Sequence, residues 1–271
     1  MTLGRTPETL ILLARRIHFD ARLGITEKKA AMLGWILRLL QPAPRLEYYP
    51  DSIAMNQKGV ERGLRRALQQ RHTQDSIILV VCHFPETFFE MQDLLDQWEI
   101  NYEIPTPPIR PQQITTKDEV QSKPKILLVL SEMLDIDTGL SSSNPKQTIA
   151  VMVVERYPLT TQDRRIETFC RQLPHPVKLG YFISLDHAAI APLLGHWTED
   201  ILKLWGMNDV DLITSELVTR RLNRARSWLD KEVESESPCD SALDWWNQHG
   251  GNTRYAKAFE DYLAKTTKAK P

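Results

Sequence analysis

The hydrophobic positions of this chain follow a helical rhythm at both ends and a strand rhythm in the middle. Over residues 7–40 they recur at helical spacing: Leu10, Leu13, Ala14 and Ile17 form one apolar face. Ala31, Leu33, Ile36, Leu37 and Leu40 form a second, with Gly24 at the break. Pro42 and Pro44 end that pattern, because proline cannot continue a helix. From Leu46 the pattern becomes short apolar runs separated by amphipathic stretches. The runs IILVVC (77–82), KILLVL (125–130), QTIAVMVV (147–154) and GYFIS (180–184) lack polar alternation, which predicts strands covered on both faces. Helices are expected over 55–70, 85–98 and between the last two runs, and a short strand at 102–104. Strand and helix in this alternation predict parallel crossovers and an open α/β sheet. Residues 105–113, with four prolines, read as a loop. After Asp186 the pattern returns to helix over 213–233, 242–247 and 255–264, with a frayed tail from Thr266. The expected organisation is a helical segment at 1–45, an α/β domain at 46–195 and a helical extension at 196–271.

Composition narrows the function classes. Hydrophobic residues make up 42% and charged residues 25% of 271, a globular balance. A net charge of −1 gives no global field toward nucleic acid or anionic lipid, so nucleic acid is not an expected partner and membrane contact is at most peripheral. Cys82, Cys170 and Cys239 are scattered and outside C-x-x-C spacing, which predicts a reducing compartment and no metal site. No apolar run approaches the roughly 20 residues of a membrane span, and no signal-peptide pattern opens the chain. The expected location is the cytoplasm, at most peripheral at the inner membrane.

Several residue groups invite a chemical reading. The chain has 11 glycines, yet neither a G-x-x-x-x-G-K nor a G-x-G-x-x-G follows a strand, which argues against a self-contained ATPase or dinucleotide enzyme. Asp137, Thr138 and Gly139 match the triplet of aspartic proteases, but a second copy is missing, so a turn is expected there. His83 stands past a strand end, and Asp186 is expected to cap a helix. Arg62, Arg65, Arg66 and Arg71 form one basic run, and Arg220, Arg221, Arg224 and Arg226 form another. Glu61 and Glu216, each four residues before an arginine, predict solvated faces with intrahelical pairs.

Residues 155–195 and 206–226 carry a family resemblance. The segments RRI (164–166), YFISLD (181–186) and VTRRLNRAR (218–226) stand in the order found in the second motor domain of the preprotein translocase ATPase SecA. Around them, Val154, Glu155, Arg156 and Tyr157 match the family's threonine-glutamate-arginine-histidine step. Arg164, Arg165 and Ile166 match its paired arginines and isoleucine, and Arg171 the first arginine of its next motif. LVLSEMLDIDTG keeps Met133 and Thr138 of another motif but loses the arginine and both glycines flanking it. RQLPHPVKLG (171–180) replaces the segment that would supply two further arginines.

The resemblance implies a RecA-like, P-loop NTPase-type sheet whose nucleotide motifs are degenerate. Glu155, Arg156, Arg165 and Arg171 would be the vestige of a nucleotide interface, with no catalytic residue left. RecA-like motors hydrolyse ATP between two halves, and arginines of the second half contribute about 10³ to 10⁵ in rate. No ATPase activity and no bound cofactor are expected of this chain alone. ATP or ADP would bind, weakly, only with a partner motor half. The implied role is protein binding, the partner being a translocase component, a separate motor half or a second copy. Trp228, Trp245 and Trp246 are candidate contacts, because adjacent helix residues such as Trp245 and Trp246 point in different directions. The alternative cover for those two is a terminal helix bearing Phe259 and Tyr262. Two other classes compete: a nucleic-acid-binding remnant of a helicase second domain, and an unrelated enzyme using Asp135, Asp137 and His83 at strand ends.

Overall fold

The computed structural model describes residues 46–71, 77–114, 125–136, 148–204, 206–208 and 211–268, all within one compact unit, Pro44–Pro271. The two helices expected over 7–40 and the Asp137–Gly139 triplet lie outside the described residues.

Six parallel strands form the sheet: β1 (Leu46–Tyr48), β2 (Ser52–Ala54), β3 (Ile77–Cys82), β4 (Lys125–Leu130), β5 (Ile149–Val153) and β6 (Val177–Ser184). The order runs β1-β6-β5-β3-β4, with β2 also on β6. β1 and β2 act as one broken strand. The first strand is thus at one edge, the fifth, fourth and second follow, and the third closes the other edge. This is the open parallel α/β sheet expected from the sequence. β3 and β4 coincide with IILVVC and KILLVL. β6 begins three residues before the expected strand because Gly180 interrupts its apolar run. The expected strand at 102–104 is reduced to an isolated parallel bridge from Glu103 to Leu127.

Side chains alternate between two packed faces. Ile78, Val80, Leu128, Ala150, Met152 and Phe182 face α1 (Gln57–Arg71) and α2 (Pro85–Gln97). Leu79, Val81, Val129, Val151, Leu179 and Ile183 face the opposite side. There they meet α3 (Thr160–Gln172), the short α4 (Ala191–Leu194), α5 (His196–Leu204) and α6 (Glu216–Glu232). The last elements, α7 (Ala242–Trp245), a π turn (Trp246–Gly250) and α8 (Ala256–Lys268), contribute Trp245, Trp246 and Phe259 to that same core. The helix expected to fray from Thr266 continues to Lys268.

The broken edge strand contains a bulge. Tyr48 pairs with Leu179 and Ser52 with Phe182, so Tyr49, Pro50 and Asp51 stand opposite only Gly180 and Tyr181. Such a bulge re-aims side chains, and proline fits it because its missing N–H leaves no ladder bond unmade.

Candidate functional site: a charge-balanced cluster at the strand ends

The chain leaves β5 through Val154, Glu155, Arg156 and Tyr157, and the two charged side chains take different directions. The Glu155 carboxylate accepts from the backbone amides of His83 (2.7 Å) and Phe84 (3.1 Å) and from Thr87 Oγ1 (2.9 Å). Those groups form the start of α2, where Pro85 occupies the first turn. A helix start presents unsatisfied amides and a partial positive charge, so a carboxylate is stabilised there. His187 Nε2 lies 3.4 Å from the same carboxylate. The chain's own glutamate thus fills the anion-binding position of this helix.

Arg156 turns the other way, into the core. It donates to Asp163 (2.5 Å) and Asp51 (2.6 Å), with its guanidinium carbon 3.3 Å from the centre of the Tyr181 ring. The second oxygen of Asp51 accepts from Thr219 Oγ1 at 3.0 Å. Asp163 also meets Arg226 at 2.8 Å, and Arg226 donates to the carbonyls of Tyr157 and Leu159, both at 2.8 Å. His83 Nε2 lies 3.2 Å from the other Asp163 oxygen, and its Nδ1 is 3.2 Å from Ser131 Oγ. All of these side chains except Thr219 are buried. Two guanidiniums and two carboxylates balance within the cluster, which is how buried charge is tolerated.

The electrostatics follow from that pairing. Burial by itself would raise the Asp163 pKa, but Arg226 and then Arg156, with His83, hold it well below the usual carboxylate range. Burial opposes the charge on Arg156, yet Asp163 and Asp51 outweigh it and keep the guanidinium protonated. Burial, and then the Asp163 charge, push the Tyr181 phenol upward. Ser131, His83 and Asp163 stand in the sequence of contacts of a hydrolytic triad. However, the His83 side chain is wholly enclosed and Asp163 is already engaged by two arginines, so a structural staple is the arrangement's physical role.

The residues anticipated as a nucleotide interface are not brought together. Glu155 and Arg156 are buried on different partners. Arg165 donates to the carbonyls of Glu132 (3.0 Å) and Leu134 (2.9 Å), beyond the end of β4. Arg171, at the far end of α3, donates to Tyr48 Oη at 2.9 Å, and that hydroxyl donates to Glu167. Asp135 accepts from Arg110 at 3.4 Å.

Three expectations need correction. Trp245 and Trp246 are both fully buried, so neither is an exposed contact in this fold. Their rings stand at 86° to one another, 5.2 Å apart, and each finds its own cover. Trp245 meets Tyr157 edge-on and donates to Glu236, whereas Trp246 stacks on Phe259 of α8. Trp228 alone of the three keeps an exposed edge, at 39%, between Lys231 and Arg254. Second, the basic run on α6 is not all solvated. Arg220 pairs with Glu216 as expected, but Arg226 is only 1% exposed. Third, Asp186 is not a helix cap: it accepts from Ser184 Oγ, and Ile190 precedes α4.

Asp51 and Asp163 escaped the sequence reading, and Arg226 was placed on a solvated face rather than in the core. A signal for two of them existed. Asp163 shares its helix stripe with Ile166 and Cys170, and Arg226 shares one with Leu222 and Leu229, so each is a lone charge on an apolar face.

No family model matches the chain, and no curated protein matches it. Among solved structures it is similar to the C-terminal part of the Fun30 ATPase domain, at 11% identity and a TM-score of 0.34, covering 62% of this chain and 54% of that one. It is also similar to arterivirus nonstructural protein 10, a helicase. Against its complex with DNA the identity is 12% and the TM-score 0.27; against a second structure of that helicase they are 13% and 0.28. Each of these two covers 54% of this chain and 29% of the helicase. The chain thus spans about half of the first protein matched and under a third of the second. These likenesses are distant, and the fold class stands on strand order rather than on them.

Proposed function

We propose that this chain is a SecA-like motor domain that does not hydrolyse nucleotide and acts by binding another protein. The observation that carries this reading is the closure of Arg156 between Asp51 and Asp163 inside the core. A working second motor half must direct arginines at a phosphoryl group. Here Arg156 and Arg226 neutralise internal carboxylates, Arg165 holds backbone carbonyls, and Glu155 occupies the anion position at the start of α2. The partner is a translocase component, a separate motor half or a second copy. Residues 46–195 form the RecA-like part, preceded and followed by helical segments, and the protein works in the cytoplasm or peripherally at the inner membrane. No helix among the described residues is long and apolar enough to cross a membrane.

Steady-state phosphate release by the purified full chain, with and without a labelled ATP-binding titration, tests the first part. Release at the buffer level is expected. Release above it that disappears in Arg165→Ala or Arg171→Ala overturns the reading. A labelled single-stranded oligonucleotide in the same preparation addresses the helicase-remnant alternative, where tight, salt-sensitive binding would replace protein binding as the function.

A further inference from the structure

Beside the bulge, on the opposite sheet face from the charge cluster, lies a cavity of about 350 Å³. We propose that it is a binding site for a small organic anion with a flat apolar body, independent of any motor ancestry. The volume lies within the range of ligand pockets, roughly 300–1,000 Å³. Its floor is the sheet itself, with Met152 and Phe182 beside Gly180. Its wall is one stripe of α1, Gly63, Arg66, Ala67 and Gln70, spaced as neighbours on a helix face. Tyr49 and Pro50, carried outward by the bulge, form the third side.

The sequence keeps this space open where it could have been filled. Glycine inside a strand weakens it and commonly marks the close approach of a ligand or another backbone. Gly180 is not among the positive-φ glycines, so its backbone does not require glycine. A Cβ there would meet only Tyr49 Cβ, at 3.4 Å, an ordinary contact. Gly63 differs, because a Cβ on it would lie 2.6 Å from Leu212, which closes that end of the cavity. Glycine at position 180 therefore keeps open a part of the cavity that an alanine or valine would reduce.

The lining selects the class of occupant. Among the described lining residues Arg66 is the one charged side chain, and no carboxylate accompanies it. Its planar guanidinium suits a carboxylate, sulfonate or phosphate at the mouth. The glycine gap beside Phe182 suits an aromatic ring lying on the sheet.

Fluorescence titration of the full chain with 8-anilinonaphthalene-1-sulfonate, and with neutral N-phenyl-1-naphthylamine, tests this. Saturable one-to-one binding of the sulfonate is expected. Gly180→Val should weaken both probes at least tenfold while leaving the melting temperature unchanged or higher. Ala67→Leu closes the cavity from the helix side and gives the same readout if the strand variant does not fold. Arg66→Gln should weaken the anionic probe several-fold and leave the neutral one unaltered. Non-saturable binding, unchanged affinity in the folded cavity-closing variant, or equal loss of both probes in Arg66→Gln would each overturn the proposal.

Discussion

Tyr49 and Asp51 stand two residues apart on one bulge and serve opposite faces of the same sheet. On the Asp51 side, two arginines and two aspartates pair with one another inside the core. On the Tyr49 side, Gly180 of the sheet and Gly63 and Ala67 of the helix leave space of about 350 Å³. The difference separates two kinds of polar residue in one core. Those in the cluster hold elements together: Asp51 from the bulge, Arg156 from the end of β5, Asp163 from α3 and Arg226 from α6. They are therefore poor candidates for contact with an external ligand. The side left unfilled is where a ligand fits, although its lining carries few of the residues that usually attract notice.

The largest effect that would break this comparison comes from the charge cluster. Arg226→Ala leaves Asp163 with one arginine fewer and two buried carbonyls without their donor. Removing one partner of a buried pair costs about 3–5 kcal/mol. Urea unfolding should show a loss of that size, and a loss below about 1 kcal/mol would mean the cluster is not a staple. Trp246→Ala should match it, at about 3–5 kcal/mol, because an enclosed aromatic leaves a cavity that its neighbours only partly close. A small change there would return Trp246 to the exposed contacts that the sequence suggested.

The acid limb of stability sharpens the comparison. Asp163 is charged in the fold at pH values where it would be protonated in the unfolded chain, because its native pKa lies below the ordinary carboxylate value. Its contribution is therefore complete above the ordinary carboxylate range and falls as pH drops through and below it. Thermal melts between pH 6 and the acid limit should lose stability along that limb. Asp163→Asn should start less stable and show a shallower acid loss. An identical acid slope in the two proteins would assign the effect to other carboxylates.

How far these features were legible depends on whether their cause is local. β3 and β4 are legible to the residue because IILVVC and KILLVL are buried on both faces and carry their own pattern. β1 and β2 are not, since three-residue edge strands broken by Pro50 have no period to read. Glu155 and Arg156 were named from a family resemblance, but of their partners only Asp163, seven residues on from Arg156, is near in sequence. Asp51 is 105 positions from Arg156, and no local rule links them. The two tryptophans show the opposite failure. Their differing directions were legible, but the separate cover each finds depends on where α8 packs.

The smallest effect concerns the two ends of one basic run, where residue type is the same and environment is not. Arg220 and Glu216 are both highly exposed and four residues apart on α6, a pair of the kind that adds about 0.3–0.5 kcal/mol. Arg220→Ala should therefore change unfolding free energy by no more than about 0.5 kcal/mol, and less in high salt, where the pair is screened. Arg226→Ala, six positions on, should retain most of its larger loss in the same salt, because its partners are shielded from solvent. Measuring both variants at low and high salt separates a solvated pair from a buried staple. Equal salt sensitivity would place Arg226 on the surface and remove the distinction on which the closed side of the bulge rests.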